Sequence, residues 1–196
     1  MISPKRLVLS MNNFLSKDGR DMLQRMSNMI RYNNAVHIHN ENVAEHSFYV
    51  AMYAMCICDF LHTGDKFRSV AIEKALIHDV HEIEISDIPH NVKHSMEGLS
   101  EQCIKFEEWY NATHFTTLQR DLNEFSNTQQ AVINIVVELA DILSVRQYSQ
   151  QEVEFGNVKR FGEIVESTNN RIDRCLEDLA LFVETKKVEE LRELIK

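Results

Sequence analysis

Apolar residues recur along most of the chain with a period near 3.6, the spacing of an α-helix. The pattern predicts helices near residues 15–29, 42–62, 67–83, 99–112, 128–149 and 157–193. The alternation typical of a β-strand never persists for long, and the chain holds only five glycines and two prolines. We therefore expect an all-α fold, a helical bundle of about six or more helices.

Two of these helices have a start signal. Asn42 can cap the second helix, and Glu45 lies three positions later, at the spacing of a capping box. The triplet Ser-Asn-Thr at 126–128 caps the fifth helix in a similar way. No repeat, low-complexity tract or linker interrupts the pattern. We expect one domain over residues 1–196, with the core motifs in about 20–165 and an amphipathic C-terminal helix in about 166–196.

Composition narrows the classes of protein. The net charge of −9 argues against a partner that is a nucleic-acid polymer, because phosphate backbones are held by basic patches. The four cysteines have neither a zinc-site spacing nor the density of a disulfide framework. Residues 1–14 lack the apolar core of a signal peptide, and the apolar run 48–58 is too short to span a bilayer. We expect a cytoplasmic protein without membrane contact.

Ionisable residues concentrate in the stretch KALIHDVHEIEISDIPHNVK, residues 74–93. On a helix, residues i and i+4 share a face, and residues i and i+3 nearly do. Glu82 would therefore lie above both His78 and Asp79. One imidazole and one carboxylate cannot fill the coordination sphere of a metal ion, so further ligands should come from other helices.

Two residues in apolar helices are candidates for those ligands. His46 shares the buried face of its helix with Val50, and Asp141 interrupts the run VINIVVELADILSV. A buried carboxylate needs a partner, and a metal ion is one such partner. Arg146, five positions after Asp141, is another. Taken singly, a histidine on an apolar face is usually a hydrogen-bonded core residue; the joint order H, then HD, then D favours a metal site.

This order is the signature of the HD-domain metal-dependent phosphohydrolases, and the chain resembles their bacterial 5′-deoxynucleotidase branch. RYNNAVHIHNENVAEHS resembles that branch's Arg-aromatic start followed by E-N-V-[SA]-E-H-S. IHDVHEIEISDIPHNVK is similar to its YHDxxE…GDLPTPVK, ELADIL to its last ligand motif, and EFGN to a Gly-Asn near its final helices. The resemblance covers about residues 20–165 and is most specific in 42–93.

The resemblance implies a role for each matching residue. It implies metal ligands at His46, His78, Asp79 and Asp141. It implies a catalytic carboxylate at Glu82, a phosphate-binding arginine at Arg31, an acid near the sugar hydroxyl or attacking water at Asp87, and a substrate-loop proline at Pro89. Apart from the resemblance, we expect Lys93 to add positive charge at the rim. Tyr32 replaces a tryptophan that crowds the ribose 2′ position, which puts strict deoxyribose preference in doubt, and Ser86 replaces a glycine.

Two histidines and two aspartates form a mixed nitrogen and oxygen site. Such a site suits Mn²⁺, Co²⁺, Fe²⁺ or Zn²⁺, and we expect one divalent transition metal per chain. His81 is interpreted as an exposed or supporting residue; the alternative is a ligand of a second metal.

The expected activity is removal of phosphate from (deoxy)ribonucleoside 5′-monophosphates by a metal-activated water. The alternatives are a (d)NTP triphosphohydrolase of the same fold and a non-catalytic nucleotide-binding HD module. A triphosphate should need more cations around the pocket than Arg31, Arg68 and Lys93, the chief ones near the motifs, so the sequence favours a monophosphate. By resemblance alone, we expect a homodimer.

Overall fold

The fold is built from helices, as the hydrophobic pattern predicts. The computed structural model describes residues 17–86, 88, 90–93 and 95–195. Within these ranges it contains no β-strand, and its helical segments are α1 Lys17–Asn28, α2 Val43–Leu61, α3 Asp65–Ile77, α4 Glu82–Ile85, α5 His90–Lys93, α6 Leu99–His114, α7 Thr116–Leu122, α8 Asn127–Glu154, α9 Val158–Leu179 and α10 Thr185–Ile195. The prediction of an all-α fold is confirmed.

The long helix α8 forms the centre of the bundle, with α2, α3 and α9 packed around it. Its core positions Ile133, Val136, Leu139, Ala140 and Ile142 have no exposed surface. Within the described residues, α8 alone is long and apolar enough by composition to cross a membrane, with a mean hydropathy of 1.2. Of the apolar 18-residue stretch of α8 that meets this criterion, 56% is buried inside the protein, as in the core helix of a bundle.

Both helix starts expected from the sequence are present. The Asn42 side chain accepts a hydrogen bond from the Glu45 backbone N–H at 2.9 Å and caps α2. Ser126 and Gln129 form a reciprocal capping box at the start of α8. Each cap satisfies backbone donors that the first turn of a helix leaves without a partner.

The predicted helix 67–83 is wrong at residues 78–81, because α3 ends at Ile77 and α4 begins at Glu82. The following backbone bonds join residues three apart: Val80 N–H donates to the Ile77 carbonyl and Glu82 N–H to the Asp79 carbonyl. Such bonds wind the chain more tightly than an α-helix does. His78 and Asp79 therefore lie in a turn between α3 and α4, and they do not share a regular helical face with Glu82.

The predicted helix 157–193 is also divided, because α9 ends at Leu179 and α10 begins at Thr185. A straight continuation would carry Leu191 about 18 Å along the axis from Leu179. The turn instead returns Val188 and Leu191 to the core, where both are buried. The apolar face predicted for this region is present on the two helices. Val183 lies in the turn between them and packs against the core from there.

Candidate metal centre and active site

His46 is fixed at the start of α2 by contacts on both sides. Its side chain has no exposed surface, and its Nδ1 lies 3.1 Å from the Ser144 Oγ on α8. The Asn42 cap holds the first turn of α2 in place beneath it. The remaining ring nitrogen, Nε2, is thereby directed toward His78 and the two aspartates.

His78 is oriented by the end of α3. Its Nδ1 lies 2.7 Å from the Ala75 carbonyl oxygen, which can only accept a hydrogen bond. Nδ1 therefore carries the proton, and a neutral ring presents an unprotonated Nε2. A backbone carbonyl in this position is typical of the support given to metal-binding histidines.

The ligand atoms of His46, His78 and Asp79 lie within 4.8 Å of one another. The two Nε2 atoms are 3.3 Å apart, and the Asp79 Oδ2 lies 3.2 Å from the Nε2 of His78 and 3.6 Å from that of His46. Residues that are 32 positions apart in the sequence thus present two nitrogens and a carboxylate to one point.

Asp141 joins this group through His46. Its Oδ1 lies 3.1 Å from the His46 Nε2, and its Oδ2 lies 3.8 Å from the Nη2 of Arg171. Arg146, the alternative partner considered from the sequence, is directed elsewhere, toward the Ile195 carbonyl and Asn169. We call the four side chains His46, His78, Asp79 and Asp141 the HD cluster.

The HD cluster fits a transition-metal ion. Ligand bonds of about 2.1 Å place neighbouring donor atoms about 3.0–3.4 Å apart, close to the separations found here. The two imidazole Nε2 atoms at 3.3 Å share at most one proton, and a divalent cation bound between them would replace that proton. Burial and the charge of Arg31 lower the pKa of His46 to about 4, which keeps its ring neutral.

The histidines and carboxylates of the HD cluster shift one another's pKa values. Burial alone would lower the pKa of His78, but Asp79 and Asp141 raise it to about 9. Burial would raise the pKa of Asp79, but His78 and Arg31 lower it well below the usual value. The carboxylates thus stay ionised in a buried place, which is the charge state that a metal ligand requires.

Arg31 lies at the edge of the HD cluster and is almost buried. Its Nη1 contacts the Asp79 Oδ2 at 2.6 Å, and its Nε lies 3.3 Å from the Oε2 of Glu41. Glu41 is itself only 3% exposed, and burial raises its pKa to about 7 although Arg31 opposes the shift. The backbone N–H of Arg31 donates to the Glu41 carbonyl, so the two residues are fastened together. Glu41 opens the ENVAEHS motif, but no role for it was expected from the sequence.

Glu82 begins the short helix α4 and is buried beside the cavity. Arg25 on α1 holds this helix by donating to the Ile83 carbonyl and to Glu84, the latter at 2.8 Å. After α4, Ser86 has φ 65° and ψ 163°, a conformation that glycine adopts far more readily. Asp87 and Pro89, both predicted to contact substrate, lie outside the described residues.

The HD cluster opens onto a cavity of about 440 Å³ through Asp79 and Asp141. Arg31, Tyr32, Glu82 and Lys93, each predicted as a site residue, line it. The Tyr32 ring is stacked on Tyr148, with centroids 4.9 Å apart and planes 10° apart, and meets Phe161 edge-on. Burial raises the pKa of the Tyr32 hydroxyl to about 12, so it stays protonated.

Six of the residues that line the cavity come from α9. We call this set the α9 wall; its residues are Arg160, Glu163, Ile164, Ser167, Thr168 and Arg171. None of them was expected at the site from the sequence. Arg68, expected among the cations near the motifs, pairs with Asp59 at 2.6 Å and does not line the cavity. The argument that few cations surround the pocket is therefore wrong, because Arg160 and Arg171 join Arg31 and Lys93.

His81 is buried, not exposed. Its Nδ1 lies 3.1 Å from the His78 carbonyl, and its ring faces Phe106. Among the described residues, the group of side chains that could hold a metal ion does not include His81. The interpretation as a supporting residue agrees with this position better than a second metal site.

Three comparisons place the chain among known proteins. A family model described as 5′-deoxynucleotidase YfbR-like matches residues 20–187. The curated proteins give no significant match.

Several solved structures share the fold. A cyanophage S-2L HD phosphohydrolase, DatZ, bound to dA and one catalytic Zn²⁺ ion, has a TM-score of 0.68 and 18% identity, with coverage of 89% of this chain and 92% of its own. An HD-domain phosphohydrolase from Listeria innocua has a TM-score of 0.69 and 18% identity, covering 94% and 87%. A Pyrococcus horikoshii protein has 0.64 and 22%, covering 91% and 96%. At these identities the likeness concerns the fold.

Proposed function

Because the chain belongs to the YfbR-like 5′-deoxynucleotidase family of metal-dependent nucleotide phosphohydrolases, we propose that it removes phosphate from deoxyribonucleoside 5′-monophosphates at the HD cluster. One observation carries this assignment to these residues. Two imidazole nitrogens and a carboxylate converge within 4.8 Å at the floor of a cavity that Arg31 also lines. A cation site beside a guanidinium is suited to a phosphate monoester.

We assign the metal to His46, His78, Asp79 and Asp141, one ion per chain. The mixed nitrogen and oxygen set suits Mn²⁺, Co²⁺, Fe²⁺ or Zn²⁺, and the DatZ structure contains one catalytic Zn²⁺. When bound, a divalent ion supplies Lewis acidity toward a phosphoryl oxygen and lowers the pKa of a ligated water.

Glu82 is proposed to orient the attacking water and accept its proton. It lines the cavity as Asp79 does, three positions earlier in the sequence, and its backbone N–H donates to the Asp79 carbonyl at 3.0 Å. A positioned carboxylate of this kind typically accelerates a reaction by roughly 10²–10⁴-fold. Arg31, held by Asp79 and Glu41, is proposed to grip the phosphate, and Lys93 to add charge at the rim.

We propose that Asp87 lies near the sugar hydroxyl or the attacking water and that Pro89 belongs to the substrate loop. Tyr32 is proposed to lie beside the sugar. Its ring is held between Tyr148 and Phe161, and a tyrosine occupies less space than the tryptophan of the family pattern. We therefore propose that the protein prefers deoxyribose but does not exclude ribose.

A second candidate remains, the release of triphosphate from a (d)NTP. Four cationic side chains among the described residues line the cavity, one more than the three expected near the motifs from the sequence. This observation favours a larger anionic substrate and keeps the candidate open to test.

A release screen separates the candidates. Phosphate and triphosphate would be measured over NMPs, dNMPs and dNTPs with Mn²⁺, Co²⁺, Mg²⁺ and Zn²⁺. We expect phosphate from dNMPs. Triphosphate released from dNTPs, without phosphate from monophosphates, would make the second candidate the function.

The variant Glu82→Ala tests whether the site is catalytic or only binds nucleotide. We expect a loss of turnover of about 10²–10⁴-fold with metal content unchanged. Glu97→Ala, a change at an exposed residue outside the cavity, serves as the control. Equal nucleotide binding and equally absent turnover in wild type and variant would favour a non-catalytic module.

We also propose a single domain over residues 1–196, a cytoplasmic location and a homodimer. The four free cysteines suit a reducing compartment, and the exposed apolar residues Phe48 and Met52 on α2 suit a subunit contact. Light scattering would measure the mass of the particle; a monomer at micromolar concentration would contradict the homodimer.

A further inference from the structure

One face of α9 follows the cavity along its length. The lining positions 160, 164, 167, 168 and 171 are spaced by three or four residues or are adjacent, as expected for one side of a helix. Arg160 and Arg171 stand at the two ends, about 16 Å apart along the axis. Arg160 lies at the outer end, and Arg171 reaches the HD cluster.

Arg171 stands on a rigid part of the helix. Thr168 and Ile172, next to it on α9, are almost completely buried in the bundle. Its own side chain is 35% exposed, so it is anchored at the backbone and open to the cavity. This placement differs from that of an ordinary surface arginine.

Arg31 and Arg171 approach the HD cluster through different carboxylates. Arg31 Nη1 contacts the Oδ2 of Asp79 at 2.6 Å, whereas Arg171 Nη2 lies 3.8 Å from the Oδ2 of Asp141. The longer separation exceeds a hydrogen bond, so Asp141 attracts the Arg171 guanidinium without using its N–H donors. Among the described residues no hydrogen bond of this guanidinium accompanies the ion pair with Asp141, and the side chain lines the cavity.

Arg171 helps to balance the charges of the side chains that line the cavity. The described lining residues include four carboxylates, Asp79, Glu82, Asp141 and Glu163, and four cations, Arg31, Lys93, Arg160 and Arg171. The two sets balance, so a bound divalent ion makes the cavity positive although the whole chain has a net charge of −9. A phosphate monoester is a dianion near neutral pH, and each cation close to the cluster improves its binding.

We propose that Arg171 is a second phosphate-binding residue, which holds the phosphoryl group of the substrate from the side opposite Arg31. The two guanidiniums and the metal ion then enclose one phosphate, with the nucleoside extending along the α9 wall toward Ile164. This assignment rests on the proposed function of the HD cluster as a phosphohydrolase site. It adds a residue for which the sequence offered no signal.

The competing explanation is that Arg171 only supports Asp141. In that case its removal would weaken metal binding and leave the phosphate affinity of the metal-saturated protein unchanged. A residue that contacts phosphate has the opposite signature, so the two roles can be measured separately.

The test compares Arg171→Gln, Arg171→Lys and Arg174→Gln, all in the full metal-loaded protein. Arg174 lies three positions further on α9, is exposed and does not line the cavity, so it controls for loss of surface charge. Calorimetry would give the Kd of inorganic phosphate and of the metal ion, and steady-state kinetics the KM and kcat for a dNMP.

For Arg171→Gln we expect the Kd of phosphate and the KM to rise about 10-fold to 100-fold, the effect of one charge-assisted hydrogen bond, with metal affinity changed by less than about 3-fold. Arg171→Lys should recover part of the loss, and Arg174→Gln should resemble wild type. An unchanged phosphate Kd in metal-saturated Arg171→Gln would overturn the proposal. Phosphate binding that depends on Arg171, in a protein that hydrolyses no nucleotide, would refute the proposed function and keep Arg171 as a phosphate-binding residue without a role toward a nucleotide substrate.

Discussion

The two sides of the cavity differ in how their residues are held. The HD cluster and Arg31 are mostly buried, and each side chain is fixed by others: His46 by Ser144, His78 by the Ala75 carbonyl, Arg31 by Asp79 and Glu41. The α9 wall presents Arg160, Glu163 and Ser167 on an exposed helix face. The first side has the preorganisation that chemistry needs, and the second presents exposed polar side chains from a helix whose backbone is anchored in the bundle.

This difference predicts unequal costs of substitution. A change in the HD cluster should disrupt metal binding or stability, because it leaves a buried charge without its partner. A change on the α9 wall should alter substrate affinity and little else.

Asp141→Asn should have the largest effect. Loss of a residue that merely supports a ligand costs roughly 10–100-fold in metal affinity, so loss of a ligand carboxylate should cost at least about 100-fold. Calorimetric titration with Co²⁺ or Mn²⁺ measures this, with Asp178→Asn on the exposed face of α9 as control. Metal affinity equal to wild type would remove Asp141 from the ligand set.

Glu152→Gln should destabilise the fold by about 2 kcal/mol at pH 7, because the buried carboxylate is hydrogen-bonded to backbone donors. The Glu152 carboxylate accepts from the backbone N–H groups of Ile38 and His39 at 2.8 and 2.7 Å and from the Asn157 side chain at 3.0 Å. Burial would raise the pKa of Glu152, but these bonds lower it below its usual value. Asn157 belongs to the EFGN motif and also donates to the Val36 carbonyl, so this network ties the loop before α2 to α8 and α9.

The sign of the pH dependence follows from that lowered pKa. The stability contributed by Glu152 is complete above the unfolded-state pKa of about 4.3 and is lost as the pH falls through the lower folded-state pKa. Urea unfolding at pH 7 and at about pH 3 should therefore show a difference between wild type and variant that shrinks in acid. Glu154→Gln, at an exposed position two residues away, is the control. A difference that is constant with pH would contradict the account.

Tyr32→Trp should have the smallest of these effects and tests the residue that touches both sides. Tyr32 lines the cavity next to Arg31 and packs on Phe161 of α9. A larger ring should crowd a ribose 2′-hydroxyl and raise the ratio of kcat/KM for dNMP over NMP by about 10-fold. Tyr49→Trp on α2, outside this cavity, should leave the ratio unchanged. An unchanged ratio in Tyr32→Trp would separate this residue from sugar selection.

The sequence predicted the HD cluster better than the α9 wall, for a physical reason. Asp141 stands out because a carboxylate within an apolar helix is costly unless it has a partner. Arg160 and Arg171 have no such contrast, because charged residues are ordinary on a helix face that meets water. Their role depends on which face of α9 turns toward the cavity, and only the packing of α9 on α8 decides that.

The fold shows the same division. The helices were predictable from their periodicity and caps, and the start of α2 lies where Asn42 indicates. The ends at Ile77 and Leu179 were not predicted, because neither is marked by glycine or proline. There the chain leaves the helix to satisfy tertiary contacts: His78 and Asp79 meet His46, and Val188 and Leu191 return to the core. Local patterns do not contain that information.

The central claim is that His46, His78, Asp79 and Asp141 hold one divalent transition metal ion. Anomalous X-ray diffraction from crystals grown with Co²⁺ tests it most directly. We predict one strong peak per chain, within about 2.0–2.2 Å of the Nε2 atoms of His46 and His78 and of a carboxylate oxygen from each aspartate. A protein that takes up no metal, or a peak coordinated by other residues, would contradict the account.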